Sequence, residues 1–479
     1  MTFDQILAKI DDFVWGVPLI VLILAAGLLL TIRTGFIQVR HLPRALRYLF
    51  KEEVNEEEEI VHGEVSGFAS LCTALSATIG TGNIVGVATA VGILAGGPGA
   101  LFWMWVAAFL GMATKYSEGF LAVKYRTVDE DGHVLGGPFY YIEKGMGVKW
   151  KWLAKIFAFF GACVGLMGIG TFSQVNGIAS AVTGFFDPNK TNTITLFGND
   201  YSIVTVISAF VLAILAGLVI IGGLKRISNV SQIVVPFMAI LYVLTVVALI
   251  ICNITKLPAA IAEVVTSAFG AKAMAGGALG AVLISMKNGI ARGIFSNESG
   301  LGSAPIAAAA AKTKEPVRQG LISMTGTFID TIIICTMTGL AIVMAGSWKD
   351  EALQGVQITT DAFQKGLHFL PSQAASFILM ICLVFFAFTT ILGWDYYGER
   401  CLEYLSGKNK TAVMIYRILY IAAVFIGPYM TVSAVWTIAD IFNGLMALPN
   451  LVALFALSGV VTKDTKDYFK RLNAGEIKE

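Results

Sequence analysis

The sequence predicts an all-α membrane protein with many membrane-spanning helices. Hydrophobic residues make up 56% of the 479 residues and charged residues 14%, whereas soluble domains average roughly 45–50% apolar and 25% charged residues. Eleven apolar runs are long enough to cross a bilayer, which takes about 20 residues in a helix. These runs cover residues 14–32, 67–94, 99–123, 156–184, 203–223, 230–252, 278–311, 320–346, 373–399, 411–428 and 433–461. We therefore expect eleven transmembrane helices.

The ten runs after the first form two sets of five. Because five is odd, the second set starts on the opposite side of the membrane from the first, and the pattern predicts an inverted repeat. The predicted boundaries are 1–66 for an N-terminal helix with an acidic connection, 67–256 for the first repeat, 257–277 for an external connection, 278–461 for the second repeat and 462–479 for a charged cytoplasmic tail.

The first run of each repeat carries an interruption. Residues 80–83 (GTGN) lie in the middle of the first run, and glycine there weakens a helix. The run at 278–311 is too long for one ordinary crossing and contains Asn288 and Gly289. Interrupted segments at matching positions of inverted repeats indicate the binding site of a secondary transporter. Close helix packing by small residues is the alternative.

The basic residues predict the orientation. With the N-terminus outside, 24 of the 34 Lys and Arg residues fall in cytoplasmic segments and six fall outside. Lys and Arg concentrate on the cytoplasmic side of membrane proteins. The sequence therefore predicts an external N-terminus and a cytoplasmic C-terminus.

Several functional classes lack the residues they need. The four histidines, His41, His62, His133 and His368, lie in polar connections, so haem, zinc and histidine proton-relay sites have no ligands at membrane depth. The sequence has no phosphate-binding GxxxxGK[S/T] loop, which argues against an ATP-driven pump. A net charge of +2 gives no reason to expect a nucleic-acid partner. We expect neither an enzyme nor a bound cofactor.

The first break offers opposite charges on its two sides. Carbonyls that end the inner half-helix, from Ser76 to Ile79, would face a cation, and amides after Gly82 would face a carboxylate at a helix N-terminus. Thr389 and Thr390 lie in the middle of another span and would supply hydroxyl ligands for sodium. Hydrogen bonding of these threonines within their own helix is the alternative.

Two further side chains are candidates for the same site. Gln174 lies at membrane depth, where an amide is costly without a partner. It would contact a substrate ammonium group, or else form an interhelical hydrogen bond. Trp394 would wall a small pocket, or else anchor its helix at the membrane interface.

Charged residues within spans are functional candidates by default. They are Lys115, Glu118, Lys287, Arg292, Glu298, Asp330, Asp395, Glu399 and Asp440. The predicted topology places most of them, including Arg292, Asp395 and Glu399, in the inner half of the membrane. We expect ion-pair latches there, whereas Asp330 and Asp440 are candidate proton or sodium groups.

Four motifs resemble those of the alanine/glycine:cation symporter family. They are residues 96–111 (GGPGALFWMWVAAFLG), 77–86 (ATIGTGNIVG), 292–298 (RGIFSNE) and 393–400 (GWDYYGER). Together the motifs extend over the whole spanning region. The resemblance implies a LeuT-like fold, with a five-plus-five inverted repeat, two discontinuous helices and one additional N-terminal helix.

The resemblance also implies a function and its residues. It implies sodium-coupled uptake of a small neutral amino acid, alanine or glycine, across the inner (cytoplasmic) membrane of a prokaryote. By analogy, the carbonyls of Ser76 and Ile79 and the hydroxyls of Thr389 and Thr390 would bind sodium as a co-transported ligand. The implied substrate-binding residues are Thr81, Gly82, Asn83, Gln174, Met286 and Gly289. Lys287 fits poorly beside a neutral pocket, and its orientation bears on the substrate class.

We therefore predict a sodium-coupled symporter that works by alternating access in the lipid bilayer. The nearest alternative is a proton-coupled carrier of another small zwitterion that uses Asp330 or Asp440. An ion channel is a further alternative, but odd-numbered inverted halves argue against a continuous pore. An intramembrane enzyme would need a nucleophile–base or metal constellation, and none is recognisable at membrane depth.

Overall fold

The computed structural model describes residues 3–51, 63–129, 133–196, 198–270, 278–430 and 432–477. The acidic segment 52–59 and residues 271–277 of the predicted external connection lie outside the described residues. The described part is mostly helical. The helices are α1 (Phe3–Val14), α2 (Val17–Arg33), α3 (Ile37–Arg40), α4 (Leu42–Tyr48), α5 (Gly67–Thr78), α6 (Val87–Val91), α7 (Gly99–Lys124), α8 (Pro138–Tyr140), α9 (Lys151–Met167), α10 (Phe172–Phe186), α11 (Ile203–Ile220), α12 (Gly223–Cys252), α13 (Leu257–Ala268), α14 (Ala278–Asn297), α15 (Ala304–Ala308), α16 (Pro316–Thr327), α17 (Thr336–Ala345), α18 (Val356–Gly366), α19 (Ser372–Leu405), α20 (Lys410–Ile426) and α21 (Val432–Asn473).

Short elements complete the described chain. π-Helical turns cover Gly82–Gly86, Tyr141–Gly145 and Phe328–Cys335, and 3-10 turns cover Val148–Trp150, Ile254–Lys256, Ser347–Lys349 and Gly427–Tyr429. Two antiparallel hairpins lie in connections, β1 (Thr127–Val128) with β2 (Val134–Leu135) and β3 (Thr193–Leu196) with β4 (Asn199–Ser202).

Within the described residues, eight helical segments are long and apolar enough to cross a membrane, and a ninth if α5 and the segment after it count as one bent span. This confirms an all-α polytopic membrane protein. Two of the eleven predicted runs correspond to α7 and α14, which have 26 and 20 residues. These two helices are less apolar because α7 contains Lys115 and Glu118, and α14 contains Lys287 and Arg292.

The first predicted break is confirmed. Helix α5 begins at the cap Ser66, whose hydroxyl accepts a hydrogen bond from the amide of Ala69. The helix ends at Thr78, because Ile79 turns to an extended conformation. The chain resumes as the π-helical turn at Gly82, bent by 53° from α5.

The second break lies elsewhere than the sequence predicts. Helix α14 is continuous through Asn288 and Gly289 and ends at Asn297. Gly289 serves helix packing, since a Cβ there would lie 2.2 Å from the Ala100 carbonyl oxygen of α7. The chain leaves the helix at Glu298, which has a φ of 55°. Gly300 and Gly302 also have positive φ, a conformation that glycine adopts without strain. The prediction of a break near residues 288–289 is therefore wrong.

A third interruption separates α9 from α10 at residues 168–171, where the sequence predicts one continuous run. Gly170 approaches other backbone closely there, because a Cβ would lie 2.6 Å from the Gly165 carbonyl oxygen. Helix α19 passes beside this segment and α5. A Cβ on Gly393 would lie 2.8 Å from the Ser76 hydroxyl, so α19 and α5 are nearly in backbone contact. This contact brings the threonines of α19 to the first break.

Candidate functional site

Four buried oxygens meet where α19 touches the end of α5. The Thr390 hydroxyl lies 3.2 Å from the carbonyl oxygen of Ile79 and 3.0 Å from that of Phe386. The Thr389 hydroxyl lies 3.0 Å from the same Phe386 oxygen. We call these four atoms the oxygen cluster. Hard cations such as sodium bind groups of carbonyl and hydroxyl oxygens, so the chemistry of the cluster fits a small cation.

The predicted cation ligands are not equally placed. Of Thr389 and Thr390, only Thr390 forms a hydrogen bond with the first break, to the carbonyl of Ile79. Thr389 bonds within its own helix, to Phe385 and Phe386, and contacts the sulfur of Met238 at 3.4 Å. The Ser76 hydroxyl donates to the Thr73 carbonyl at 2.7 Å.

Two side-chain oxygens accept hydrogen bonds from the amides of the first break. The Gly80 amide donates to Asn83 Oδ1 at 2.9 Å, and the Thr81 amide donates to Gln174 Oε1 at 3.0 Å. The other end of the Gln174 amide donates to the Ile169 carbonyl at 3.0 Å. Gln174 therefore connects the first break to the interruption between α9 and α10. The hydrogen bond with Thr81 is the interhelical bond that the sequence offered as the alternative for Gln174. The interruption between α9 and α10 was not predicted, although Gly168 and Gly170 indicate it.

Thr81 carries an unused hydroxyl. The side chain is fully buried, and its oxygen has no hydrogen-bond partner among the described residues. Gly177 covers the methyl group, since a Cβ on Gly177 would lie 2.6 Å from Thr81 Cγ2. Gly177 and Asn176 line a cavity of about 1350 Å³, which we call the vestibule. Gly177 therefore lines the vestibule and also lies against Thr81.

The vestibule lies between α6, α10, α18 and α19. Arg292 and Trp436 also line it. The Arg292 guanidinium pairs with Asp440 at 2.6 Å and lies 5.3 Å from the Trp436 ring centre. Arg292 thus faces the vestibule and forms its ion pair with Asp440 there, whereas its predicted place in the inner half of the membrane stays a prediction. Because α14 runs unbroken past Gly289, Arg292 stays on the vestibule side of the second break.

Asn83 connects the first break to a buried carboxylate. Its amide nitrogen donates to Asp330 Oδ1 at 2.6 Å. The hydroxyls of Ser296 and Thr331 donate to Asp330 Oδ2 at 2.9 and 2.7 Å. Three donors therefore hold the carboxylate of Asp330 in place in this conformation.

Met286, Gly289, Lys287 and Trp394 make their described contacts with groups other than Thr81. Met286 packs against the hydrophobic core, and Gly289 packs on α7. The Lys287 ammonium group lies 3.2 Å from Asp12 and is half exposed, so it faces α1 instead of a neutral pocket. The fully buried Trp394 donates its indole N–H to Glu298 at 2.8 Å.

The second break, residues 298–303, is held by charged side chains. The Lys115 ammonium group donates to the Glu298 carbonyl at 3.3 Å, and Glu118 accepts from the Gly300 amide at 3.2 Å. Asn450 donates both to Glu118 at 2.7 Å and to the Gly300 carbonyl at 2.9 Å. Lys115 and Glu118 thus fix the break.

A second group of charges lies at the end of α19 away from the vestibule. Glu399 accepts two hydrogen bonds from Arg417, at 2.8 and 2.9 Å, and one from Arg400 at 2.8 Å. Arg400 also pairs with Glu403 at 2.6 Å and contacts the ring of His133. We call this group the acid–base cluster. Its members are Glu64, His133, Glu399, Arg400, Glu403 and Arg417.

His133 and Glu64 join this cluster from the polar connections. The ring Nδ1 of His133 lies 2.7 Å from Glu64 Oε1. This hydrogen bond raises the pKa of His133 from its ordinary value. Burial favours a higher pKa for Glu64, but the hydrogen bonds from His133 and from the Val134 amide outweigh it, so the pKa of Glu64 is lowered.

Comparison with known proteins gives a consistent result. The sequence model of the sodium:alanine symporter family matches residues 1–479. The chain is 54% identical to an uncharacterized transporter of Haemophilus influenzae, covering 98% of this chain and 97% of the relative. It is 45% identical to the sodium/alanine symporter AgcS of Methanococcus maripaludis over the full length of both. It is 39% identical to the amino-acid carrier protein AlsT of Bacillus subtilis, covering 99% of this chain and 94% of the relative.

Proposed function

Because the chain belongs to the sodium:alanine symporter family, and is thus a transporter and not an enzyme, we propose that it couples the uptake of alanine or glycine to sodium. The family and its relatives support amino-acid symport. One observation carries the finer proposal. The Ile79 carbonyl and the Thr390 hydroxyl meet at 3.2 Å, beside the amides of Gly80 and Thr81.

Sodium would bind at the oxygen cluster. The cation would take the place of the hydrogen bond between Thr390 and Ile79 and would use both oxygens as ligands. It would thereby hold α5 against α19 at the first break. Since the amides of the break lie in the same short segment, sodium that orders this segment would favour amino-acid binding, and the reverse effect must be equal in free energy.

The amino-acid carboxylate would bind at the first break. It would replace Gln174 Oε1 and Asn83 Oδ1 at the amides of Thr81 and Gly80, and it would accept a hydrogen bond from the unused Thr81 hydroxyl. Released from Thr81, the Gln174 oxygen would accept from the substrate ammonium group. Gly80 lies so close to Thr390 and Gln174 that the break itself has no room for a side chain at position 80.

We propose the complete LeuT-like arrangement for the fold. Helices α7 and α14 have spanning length at 26 and 20 residues, and counting them would raise nine spans to eleven. The distribution of Lys and Arg supports an external N-terminus in the inner membrane of a prokaryote. In that orientation the vestibule opens to the outside and the acid–base cluster lies on the cytoplasmic side.

Sodium is favoured over a proton at Asp330 or Asp440. Asp330 already accepts hydrogen bonds from three side chains, and Asp440 is paired with Arg292. Neither carboxylate has to gain or lose a proton for the binding described above. Proton coupling at one of these residues, with another small zwitterion as substrate, is the alternative.

Uptake by proteoliposomes tests the proposal. We expect labelled alanine to accumulate only with an inward sodium gradient and unlabelled glycine to compete. Potassium in place of sodium, at the same pH on both sides, is the control. Equal accumulation in the sodium-free vesicles at fixed pH would overturn the sodium assignment, and accumulation driven by a pH gradient alone would favour the proton-coupled alternative.

A further inference from the structure

One buried carboxylate differs from all others in the described part of the chain. Seven carboxylate side chains are buried there, and six of them accept at least one hydrogen bond. The exception is Asp395, which is fully buried and has no hydrogen-bond partner on either oxygen. The six others are Glu118, Asp187, Glu298, Asp330, Glu399 and Asp440.

Most donors near Asp395 are engaged elsewhere, and the one that is not, Nε of Arg400, has no partner and does not reach either oxygen of Asp395. On its own helix, Arg400 bonds to Glu399, as does Arg417 from α20. The Tyr416 hydroxyl of α20 donates to the Ala162 carbonyl at 2.9 Å, and the Tyr420 hydroxyl donates to the Gly170 and Ile391 carbonyls.

Helix α9 brings no charge to the same place. It approaches this turn of α19 through Gly165, where a Cβ would lie 3.1 Å from the Trp394 carbonyl and 3.4 Å from Gly398 Cα. The titratable and charged groups that face Asp395 are thus Glu399, Arg400, Tyr416, Arg417 and Tyr420. Both cations of this set are bound to Glu399, so Asp395 has no counterion of its own.

An ionised carboxylate without donors is strongly disfavoured in such a site, because burial removes the hydration of the charge and nothing replaces it. Glu399, one helical turn away on the same face, would add a like-charge repulsion. We propose that Asp395 is a proton-binding site, occupied in this conformation and emptied when the acid–base cluster opens. Its ligand is a single proton.

The release step needs no other reactant. The O–H bond of the Asp395 carboxyl group breaks, its electron pair stays on the carboxylate, and the proton passes to water that enters when the cluster separates. Opening of the cluster frees Arg417 or Arg400 from Glu399, and a freed guanidinium then neutralises the new carboxylate. The release of the proton from Asp395 does not depend on the proposed function. Its release toward the cytoplasm does, because that direction rests on the proposed function and orientation.

Infrared spectroscopy of the reconstituted full-length protein tests protonation directly. A buried, protonated carboxylic acid gives a separate C=O stretching band that shifts in deuterated water. We expect this band in the wild type at neutral pH and its loss in Asp395→Asn. Asp464→Asn, which removes an exposed partner of Lys124, is the control and should keep the band. An unchanged band in a folded Asp395→Asn protein would overturn the proposal. If that variant does not fold, Asp395→Glu is the test. It keeps a carboxyl group at this position, so the band should remain but at a shifted frequency, and an unshifted band would contradict the proposal.

Transport provides the second readout. The rate of a step that depends on one proton changes about tenfold per pH unit beyond the pKa of the group. We expect the rate of wild-type uptake to change in this way over part of the pH range. Asp395→Asn permanently resembles the protonated form, so its uptake should lose this pH dependence. The variant should still depend on the driving cation. An identical pH profile in both proteins would contradict the proposal. The infrared test needs no substrate, so a failure of the sodium or alanine assignment would leave it unaffected.

Discussion

The two helix breaks differ in the groups that hold them. The backbone of the first break, around Gly80, is contacted directly by neutral groups, namely the side-chain amides of Asn83 and Gln174 and the hydroxyl of Thr390, and the Asp330 carboxylate acts on it only through Asn83. The second break, at 298–303, is held by Lys115 and by the carboxylate of Glu118. A zwitterionic ligand can replace a neutral hydrogen bond at little cost, whereas removing a buried charge from its partner is expensive. The first break is therefore suited to exchange ligands, and the second to stay closed.

The breaks also follow helices of different length. Helix α5 has 12 residues before the first break, which is a rise of about 18 Å. Helix α14 has 20 residues before the second, or about 30 Å. If both repeats began at the membrane surface, the first break would lie near mid-membrane and the second close to the far side. Under the proposed function, the first interrupted helix would serve binding and the second would serve closure.

The largest expected effect is at Gly80. A Cβ there would lie 2.5 Å from the Thr390 hydroxyl and 2.8 Å from Gln174 Oε1. Overpacking costs about 1–3 kcal/mol, so we expect Gly80→Ala to weaken apparent alanine affinity by up to roughly 100-fold. Uptake kinetics in proteoliposomes measure this. Gly86→Ala is the matched control, since a Cβ at Gly86 would contact nothing within 4 Å. Equal losses in both variants would contradict a specific role for Gly80.

The next effect separates the two threonines. Losing a ligand to a charged group costs about 1.5–3 kcal/mol, so Thr390→Ala should raise the sodium concentration for half-maximal uptake about tenfold or more. Thr390→Ser keeps the hydroxyl and should stay near wild type. Thr389→Ala should have the smaller effect, because Thr389 bonds to its own helix and not to Ile79. A larger effect at Thr389 would show that the cation lies farther along α19.

A change at the second break should affect stability and not sodium affinity. Trp394→Phe removes the N–H that donates to Glu298, and a buried acceptor that loses its donor costs about 1–3 kcal/mol. We expect a lower Tm in thermal unfolding and an unchanged sodium dependence of uptake. Trp152→Phe, at a mostly exposed tryptophan, is the control. A weaker sodium dependence in Trp394→Phe would place Trp394 in the binding site after all.

The smallest effect is a pH dependence at His133. Because its pKa is raised in the folded protein, its stabilising contribution is complete below the ordinary value of 6.5 and is lost as the pH rises through the raised pKa. The pair with Glu64 is partly exposed, so the contribution should be below about 1 kcal/mol. We expect Tm to fall slightly from mildly acidic to alkaline buffer, and His133→Gln to flatten this slope. His368→Gln, at an exposed histidine, should not. If Tm fell with pH equally in His133→Gln, another titratable group would be the cause of the pH dependence.

The sequence predicts the first break well and the second poorly, for a physical reason. A glycine can permit a positive φ where a helix ends, or it can let two helices pack closely. The sequence alone does not tell which of these two roles a given glycine has. At Gly289 the missing side chain admits the backbone of α7, whereas at Gly300 and Gly302 it permits positive φ. Gly80 could be interpreted because polar Thr81 and Asn83 flank it within an apolar run.

Side-chain contacts between residues far apart in the sequence could not be predicted either. Lys115 and Glu118 have helical spacing, but both turn to the second break. Lys287 pairs with Asp12, 275 positions away. Such contacts depend on how the helices are arranged in space, which hydrophobic runs do not specify. By contrast, the contact of Thr390 with Ile79 agrees with the prediction made from its position in the middle of another span, and the family resemblance implies the same residues.

Gln174 has a consequence for substrate selectivity and speed. One end of its amide accepts from Thr81 and the other donates to Ile169, beside the interruption between α9 and α10. A ligand that rotates this side chain would loosen the interruption as well as occupy the pocket. Substrate preference and turnover would then share one residue. An engineer who widened the specificity of this protein at Gln174 should expect to change its transport rate in the same step.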